Sequence, residues 1–247
     1  FRLTPTQGET TLDTHHLPLY PHPTFVTKLA NGLTVITMQM PTKLVRAKLS
    51  FRCGAMHFPV PGAAHLLEHL LYVGPARQGM HPLLVPLAPE GVVADARTGY
   101  GYTEYRVSGH AKDTARILNA LLEMGFRASF TPKMLQQEQG VIHAEMLQCR
   151  TINQWIMWRN GLMYPGHRAV HYPIIGTPES LRNISWESLM REHAERYRTE
   201  RAGLVVVGDV THNDILLQLN GRDLPANLPA SPIAPLVPDY GDGTYAT

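Results

Sequence analysis

One short segment of the sequence carries two histidines and a glutamate at a spacing suited to metal chemistry. Residues 64–71 read Ala-His-Leu-Leu-Glu-His-Leu-Leu, so His65 and His69 lie four positions apart and Glu68 lies between them. On a helix, side chains three or four positions apart leave the same face. Two imidazoles one turn apart can hold a single Zn²⁺, and a nearby carboxylate can reach a water molecule on it. This His-x-x-Glu-His order inverts the better-known zinc peptidase motif and favours a zinc hydrolase.

The same segment has an ordinary alternative, a helix with two partly buried histidines and a surface glutamate. The four leucines of the segment make the rest of the helix apolar, which predicts that it is buried. A buried His-Glu-His cluster needs a partner to offset its desolvation. Burial therefore favours the metal interpretation.

A second segment supplies candidates for a third protein ligand. Lys133 to Arg159 contain no proline and one glycine, which is typical of a long helix. Within it, Glu138 and Glu145 are two turns apart, so they share a face about 10 Å apart along the axis. One carboxylate can bind the metal while the other orients a histidine ring, although such pairs alone are usually solvated. For Cys149, one turn further, we expect a buried free thiol rather than a ligand.

The elements that must position these residues mix strands and helices. Strand patterns cover residues 25–29, 33–38, 44–52, 92–107 and 202–207, and the first two flank an Asn-Gly turn. Helical patterns cover residues 62–72, 114–126, 133–159, 180–197 and 212–219. Because strands and helices do not alternate one for one, we expect an α+β two-layer fold.

Composition excludes several classes of protein. The 247 residues are 44% hydrophobic and carry a net charge of +2, so we expect one large domain and no nucleic-acid partner. No apolar run approaches the roughly 20 residues of a membrane span, so we expect a soluble protein, in the cytoplasm or periplasm rather than in a membrane, while the compartment itself stays open. The predicted organisation is an extended arm over 1–23, a domain over 24–220 and a Pro-rich tail or linker over 221–247. Because the chain begins with Phe1, we expect that something was trimmed.

Together these motifs resemble the pitrilysin and mitochondrial processing peptidase family of inverted-motif zinc peptidases. The gap of 75 residues between His69 and Glu145 is similar to the family's gap, and Glu138 matches a further family glutamate seven positions before the ligand. The likeness extends over about residues 24–220. Further segments that look like family landmarks are Leu29–Leu33, Asp95–Thr98, Thr103–Tyr105, Ile174–Thr177 and Val207–Asp209.

The resemblance implies a role for each residue of the two motifs. His65, His69 and Glu145 would be zinc ligands. Glu68 would be the general base, and Glu138 would orient a ligand. The implied fold is a single family-type half domain, in which a mixed, mainly antiparallel sheet packs against helices. The implied activity is a zinc-dependent endopeptidase, or its catalytic subunit, that hydrolyses short or extended peptides.

The resemblance also implies where the peptide binds. The family adds its peptide as a strand at a sheet edge, which here corresponds to about Asp95 to Tyr100, with Asp95, Ala96 and Thr98 at the substrate. An ordinary core strand is the alternative. The family has Asn where Asp95 stands, and an ionised carboxylate cannot donate a hydrogen bond, which puts substrate polarisation in question.

The length of the chain differs from the family pattern. Family members pair this domain with a second, similarly folded one that adds an Arg and a Tyr to the site. We therefore expect a partner, either a separate subunit in a heterodimer, a second copy in a homodimer, or further sequence.

Two alternatives to a peptidase remain. One is a non-catalytic partner or scaffold subunit, although such proteins typically lose motif residues and all five are intact here. The other is a structural zinc protein, against which an open site with three N and O ligands and no Cys argues.

Overall fold

The computed structural model describes residues 14–16, 21–75, 80–165 and 168–225. The predicted arm and tail therefore lie largely outside the described residues. The strands are β1 (Thr14–His16), β2 (Thr24–Lys28), β3 (Thr34–Gln39), β4 (Leu44–Phe51), β5 (Val93–Thr98), β6 (Thr103–His110) and β7 (Ala202–Gly208). The α-helices are α1 (Ala63–Val73), α2 (Thr114–Phe126), α3 (Pro132–Gln148), α4 (Arg150–Met163), α5 (Arg168–His171), α6 (Pro178–Arg182), α7 (Trp186–Arg196) and α8 (His212–Leu219).

The seven strands form one sheet in the order β1-β2-β3-β7-β4-β6-β5. β3 and β7 run parallel, and every other described pair is antiparallel. This arrangement confirms the predicted α+β class with a mixed, mainly antiparallel sheet. β5 pairs with β6 alone and is the edge strand on the side of α1.

One face of the sheet packs against the helices. Directly paired residues share a face, and Val35, Leu204, Leu49 and Tyr105 form one buried row across four strands. α2 packs against this face, where Gly125 lets Leu49 approach closely. The opposite face carries half-exposed and charged residues, so the fold has two layers.

The connection between β2 and β3 is a hairpin, as the Asn-Gly pair predicts. The amide of Gly32 donates to the carbonyl of Leu29, and Gly32 itself has φ +89°. A Cβ at this position would lie 2.9 Å from the Cβ of Glu200, so both the turn and the close packing require glycine.

Two predicted helices are each divided in the structure. The segment over 133–159 breaks at Cys149, whose φ of −98° and ψ of 14° end α3 and start α4. This break is a local rotation without a proline or glycine, so composition does not reveal it. The segment over 180–197 ends at Arg182 and restarts after Ser185, whose side chain accepts from the amide of Ser188.

None of the helices in the described ranges is long and apolar enough to cross a bilayer.

Candidate metal centre and cleft

The first motif lies on α1, which is buried along most of its length. Its four leucines pack into the core, and they leave His65 and His69 on the opposite, partly exposed side. Glu68 is buried beside them. The leucine spacing thus fixes which way the polar side chains point.

Helix α3 brings a carboxylate to these two rings. Oε2 of Glu145 lies 4.0 Å from Nε2 of His65 and 3.8 Å from Nε2 of His69. One ligand atom from each of the three residues lies within 4.8 Å of the other two. The structure therefore brings together the three residues predicted as ligands from two helices distant in sequence.

The second glutamate of α3 lies behind the ring of His69. Oε2 of Glu138 is 3.5 Å from Nδ1 of His69, and the Glu138 side chain is buried. A carboxylate at Nδ1 favours the proton there, which leaves the lone pair of Nε2 directed at the cluster. Burial lowers the pKa of His69, but Glu138, Glu68 and Glu145 outweigh it and raise the pKa overall.

The ring of His65 is held neutral. Burial, helped by the neighbouring His69, lowers the pKa of His65 to about 3. A neutral imidazole has a free lone pair for a metal. Nδ1 of His65 is buried and makes no hydrogen bond to any residue in the described part of the chain.

Glu68 is held by a residue of the edge strand. Oγ1 of Thr98 donates to Oε2 of Glu68 at 2.8 Å, and both side chains are buried. Burial raises the pKa of Glu68 above its usual range, although this hydrogen bond lowers it. Thr98, predicted at the substrate, therefore also fixes the orientation of Glu68.

The donor set of the cluster fits Zn²⁺. Two imidazoles and one carboxylate are the ligands of open catalytic zinc sites. Tetrahedral bonds of about 2.0–2.2 Å put ligand atoms about 3.3 Å apart, so small side-chain movements would close this cluster on an ion. Within the described ranges, these three residues are the group of His, Cys, Asp or Glu side chains that could hold a metal.

A cleft of about 640 Å³ opens onto the cluster. β5 contributes Ala96 and Thr98 to one wall, and α4 contributes Trp155 and Arg159 to the other. Cys149 also lines this cleft and is partly exposed, so the expected burial of its thiol was wrong.

Asp95 is not brought to the cluster. Its carboxylate is 58% exposed and pairs with Arg106, its neighbour across β6, on the sheet face away from Thr98. The side chain is absent from the lining of the cleft, whereas the neighbouring Ala96 belongs to it.

A hydrogen-bonded group that holds the α4 wall was not predicted from the sequence. Nδ2 of Asn160 donates to Oη of Tyr100 at 3.0 Å, and that hydroxyl donates to the carbonyl of Tyr172 at 3.1 Å. Asn160 is the buried residue of an otherwise exposed helix. The absence of any Asp or Glu between Glu145 and Glu179 was the available signal that this wall differs from an ordinary solvated helix.

This fold and donor cluster define an α+β half domain with a candidate zinc site between two helices. The chain belongs to the insulinase family, peptidase family M16, whose family model matches residues 34–157.

Relatives of known name agree with this membership. The beta subunit of the rat mitochondrial-processing peptidase is 26% identical over 197 residues, which are 78% of this chain and 40% of that protein. An uncharacterized zinc protease of Bacillus subtilis is 24% identical over 191 residues, 75% of this chain and 46% of that protein. This chain thus spans less than half the length of either relative.

Solved structures share the fold. A protease from Helicobacter pylori superposes with a TM-score of 0.74 at 21% identity, over 84% of this chain and 52% of that one. The inactive domain of a peptidase M16 from Pseudomonas fluorescens gives a TM-score of 0.70 at 16% identity, over 79% and 48%. The fold therefore occurs with and without activity, and function must be argued from the site.

Proposed function

We propose that this chain is the zinc-binding half of an endopeptidase. The observation that supports this most directly is the convergence of His65, His69 and Glu145 at the floor of an open cleft. A closed structural site would have four protein ligands, whereas three leave a position for water.

Each residue of the cluster has a distinct part in the proposed reaction. His65, His69 and Glu145 would hold the zinc, and Glu138, at Nδ1 of His69, keeps the lone pair of Nε2 available for it. When bound, Zn²⁺ lowers the pKa of water toward neutral and polarises the peptide carbonyl. Glu68 accepts the proton of the attacking water and delivers it to the leaving amine.

The edge of β5 is the proposed peptide site. In the described part of the sheet β5 pairs with one strand, so its other edge offers backbone groups to an extended peptide. The carbonyl of Ala94 already accepts from the hydroxyl of Tyr72 at 2.9 Å, which leaves the stretch over Ala96 and Thr98 as the proposed pairing site. Ala96 and Thr98 face the cleft along this edge. Because Asp95 is paired with Arg106 on the other face, we propose that the β5 backbone, rather than that carboxylate, binds the peptide.

A second family-type half is the proposed partner. The rat relative is named as a subunit, and this chain matches less than half of its length. The exposed side of α4 carries Trp158, Leu162 and Met163, large apolar side chains whose exposure to water is unfavourable.

In the domain organisation that we propose, residues 24–220 form the catalytic domain.

The test compares zinc content with hydrolysis of an internally quenched peptide. We expect the wild-type chain, with any co-purifying partner, to bind one zinc and cleave the peptide. Glu68→Gln keeps the zinc and loses about 10²- to 10⁴-fold of kcat. Glu187→Gln, an exposed glutamate on α7, is the control and keeps both.

Three results are informative. If Glu68→Gln cleaves as fast as wild type, the role of Glu68 as general base is wrong. If the wild-type chain binds no zinc, the metallopeptidase proposal is wrong. If zinc binds and neither the chain nor its complex cleaves any peptide, the alternative of a non-catalytic partner subunit is favoured.

A further inference from the structure

The cleft wall formed by α4 carries a positive charge without a matching negative one. Arg159 lines the cleft, and in the described part of the chain no carboxylate lies within 4 Å of its guanidinium. The sequence has no Asp or Glu from 146 to 178. The carboxylates that line the cleft are Glu68 and Glu145, both of which belong to the metal cluster.

The guanidinium of Arg159 is fixed in position from two sides. Its Nε and Nη2 both donate to Oδ1 of Asn160, at 3.0 Å and 2.8 Å. Its Cζ lies 4.8 Å from the centre of the Trp155 ring. This cation–π contact and the two hydrogen bonds order the side chain and leave Nη1 for a ligand.

The anchor of Arg159 is itself well held. Asn160 is 1% exposed. Its Nδ2 donates to Tyr100 and to the carbonyl of Val170, so its Oδ1 must face Arg159. The guanidinium of Arg159 is therefore preorganised by hydrogen bonds to a buried side chain, and little side-chain entropy is lost when a ligand binds.

Charge and position together indicate the ligand. A guanidinium with unused donors, beside an indole face, matches a carboxylate carried on a peptide. Tyr100, which holds Asn160, is two residues beyond Thr98, and Thr98 contacts Glu68. The carboxylate would thus lie a few residues along the peptide from the bond that is cleaved.

We propose that Arg159, positioned by Asn160 and Trp155, forms a subsite that selects peptides with a carboxylate near the scissile bond. This inference rests on the proposed peptidase function for the place of the peptide. A carboxylate can come from an Asp or Glu side chain or from the C-terminus of a short peptide, and both carry the same chemistry.

The experiment uses a set of internally quenched decapeptides. A single Glu is moved through each position, each peptide has a twin with Gln at that position, and each is made with a free and an amidated C-terminus. The readout is the ratio of kcat/KM between charged and uncharged twins. Peptide Kd on zinc-loaded Glu68→Gln protein, measured by fluorescence anisotropy, gives the same ratio without turnover.

We expect one position, or the free C-terminus, to favour the charged twin by about 10- to 100-fold in wild type. Arg159→Gln loses this preference, whereas Arg159→Lys keeps part of it because the charge remains without the fork. Arg150→Gln is the matched control and keeps the preference, since Arg150 is exposed on the same helix and does not line the cleft.

The outcomes separate this inference from the proposed function. If peptides are cleaved with charged-to-uncharged ratios below twofold at every position, or with a preference that survives Arg159→Gln, the subsite is refuted and the peptidase stands. If nothing is cleaved but the Kd ratio depends on Arg159, the subsite stands without the peptidase. If neither turnover nor charge-dependent binding occurs, both are refuted.

Discussion

The two glutamates of α3 differ in burial and in the histidine atoms that they approach. The side chain of Glu138 is 5% exposed and lies behind the His69 ring, while that of Glu145 is 40% exposed and reaches both Nε2 atoms. A buried carboxylate is costly unless it has a partner, and His69 supplies one. The more exposed carboxylate of Glu145 can instead change partner, as its proposed role as a zinc ligand requires.

Thr98 is the residue whose replacement best tests the orientation of Glu68. Thr98→Val keeps the shape of the side chain and removes the donor at 2.8 Å, so Glu68 loses its fixed orientation. We expect kcat/KM for peptide hydrolysis to fall about 5- to 10-fold, the effect of one hydrogen bond. Zinc content, measured by elemental analysis, should not change.

Thr98→Ser is the control for this prediction because it keeps a hydroxyl at the same place. It should retain most of the activity. Equal activity in Thr98→Val and wild type would mean that the hydrogen bond does not position Glu68 during the reaction.

A buried histidine away from the cluster makes stability depend on pH. Nε2 of His193 is 3.0 Å from the carbonyl oxygen of Gly125, and burial lowers the pKa of His193 to about 4. The unfolded chain takes up this proton near pH 6.5, but the folded chain resists until about pH 4. The contribution of His193 to the free energy of unfolding should therefore fall by up to about 3 kcal/mol as the pH decreases between these values, and should stay constant above them.

Urea unfolding of metal-free protein at several pH values checks this window. His193→Gln can still donate to the carbonyl of Gly125 but does not titrate. Its free energy of unfolding should therefore decrease less than that of the wild type between pH 6.5 and 4. His110→Gln replaces an exposed histidine at the end of β6 and should keep the wild-type slope. If the free energy of unfolding depends on pH equally in all three proteins, the assignment to His193 is wrong.

At the scale of elements, the start of α1 is held by contact between two loops. Gly62 precedes α1 with φ +88°, and Gly176 has φ +81° in the loop before α6. A Cβ on Gly176 would lie 2.7 Å from the carbonyl oxygen of Pro61 and 2.8 Å from the Cα of Gly62. The segment Ile174–Thr177 thus packs against the start of the helix that carries His65.

Gly176→Ala should therefore destabilise the fold and weaken zinc binding at the proposed site. We expect the free energy of unfolding to drop by about 2–4 kcal/mol, from backbone strain and from the clash with Pro61. Zinc affinity, measured against a competing chelator, should also fall because the first turn of α1 shifts.

A second glycine provides the opposite control. Gly140 lies inside α3 with nothing within 4 Å of an added Cβ, so Gly140→Ala should stabilise the protein by about 0.5–1 kcal/mol. Equal stabilities for the two alanine variants would show that the loop contact is unimportant.

Local spacing predicted the elements and the pair of histidines, and the family resemblance pointed to Glu145 on a distant helix. The details that depend on strand register and on a local helix break could not be predicted. The interval between His65 and His69 fixes a shared helical face, so the first half of the cluster could be predicted. The side of β5 that faces Glu68 depends on the register with β6, which spacing does not encode. The break at Cys149 starts α4 and so places Arg159 across the cleft. No proline or glycine marks this break in the sequence.

At the scale of the whole molecule, α4 is more apolar on its exposed side than on its packed side. Its buried residue is Asn160, while Trp158, Leu162 and Met163, which do not line the cleft, are exposed. A surface helix of a globular domain usually packs its apolar side against the core and exposes its polar side. This inversion indicates a surface that is covered in the working assembly.

The isolated chain should therefore self-associate through α4 when no partner covers it. Sedimentation velocity at rising protein concentration measures this, and we expect Leu162→Gln to weaken association about tenfold because burial of one leucine contributes about 1.5–3 kcal/mol. Leu217→Gln is the matched control, since Leu162 is 64% and Leu217 is 71% exposed, the latter on α8. If both variants associate like wild type, or if the wild-type chain stays monomeric, self-association through α4 is refuted. Binding of a separate partner half to α4 would then have to be tested with that partner.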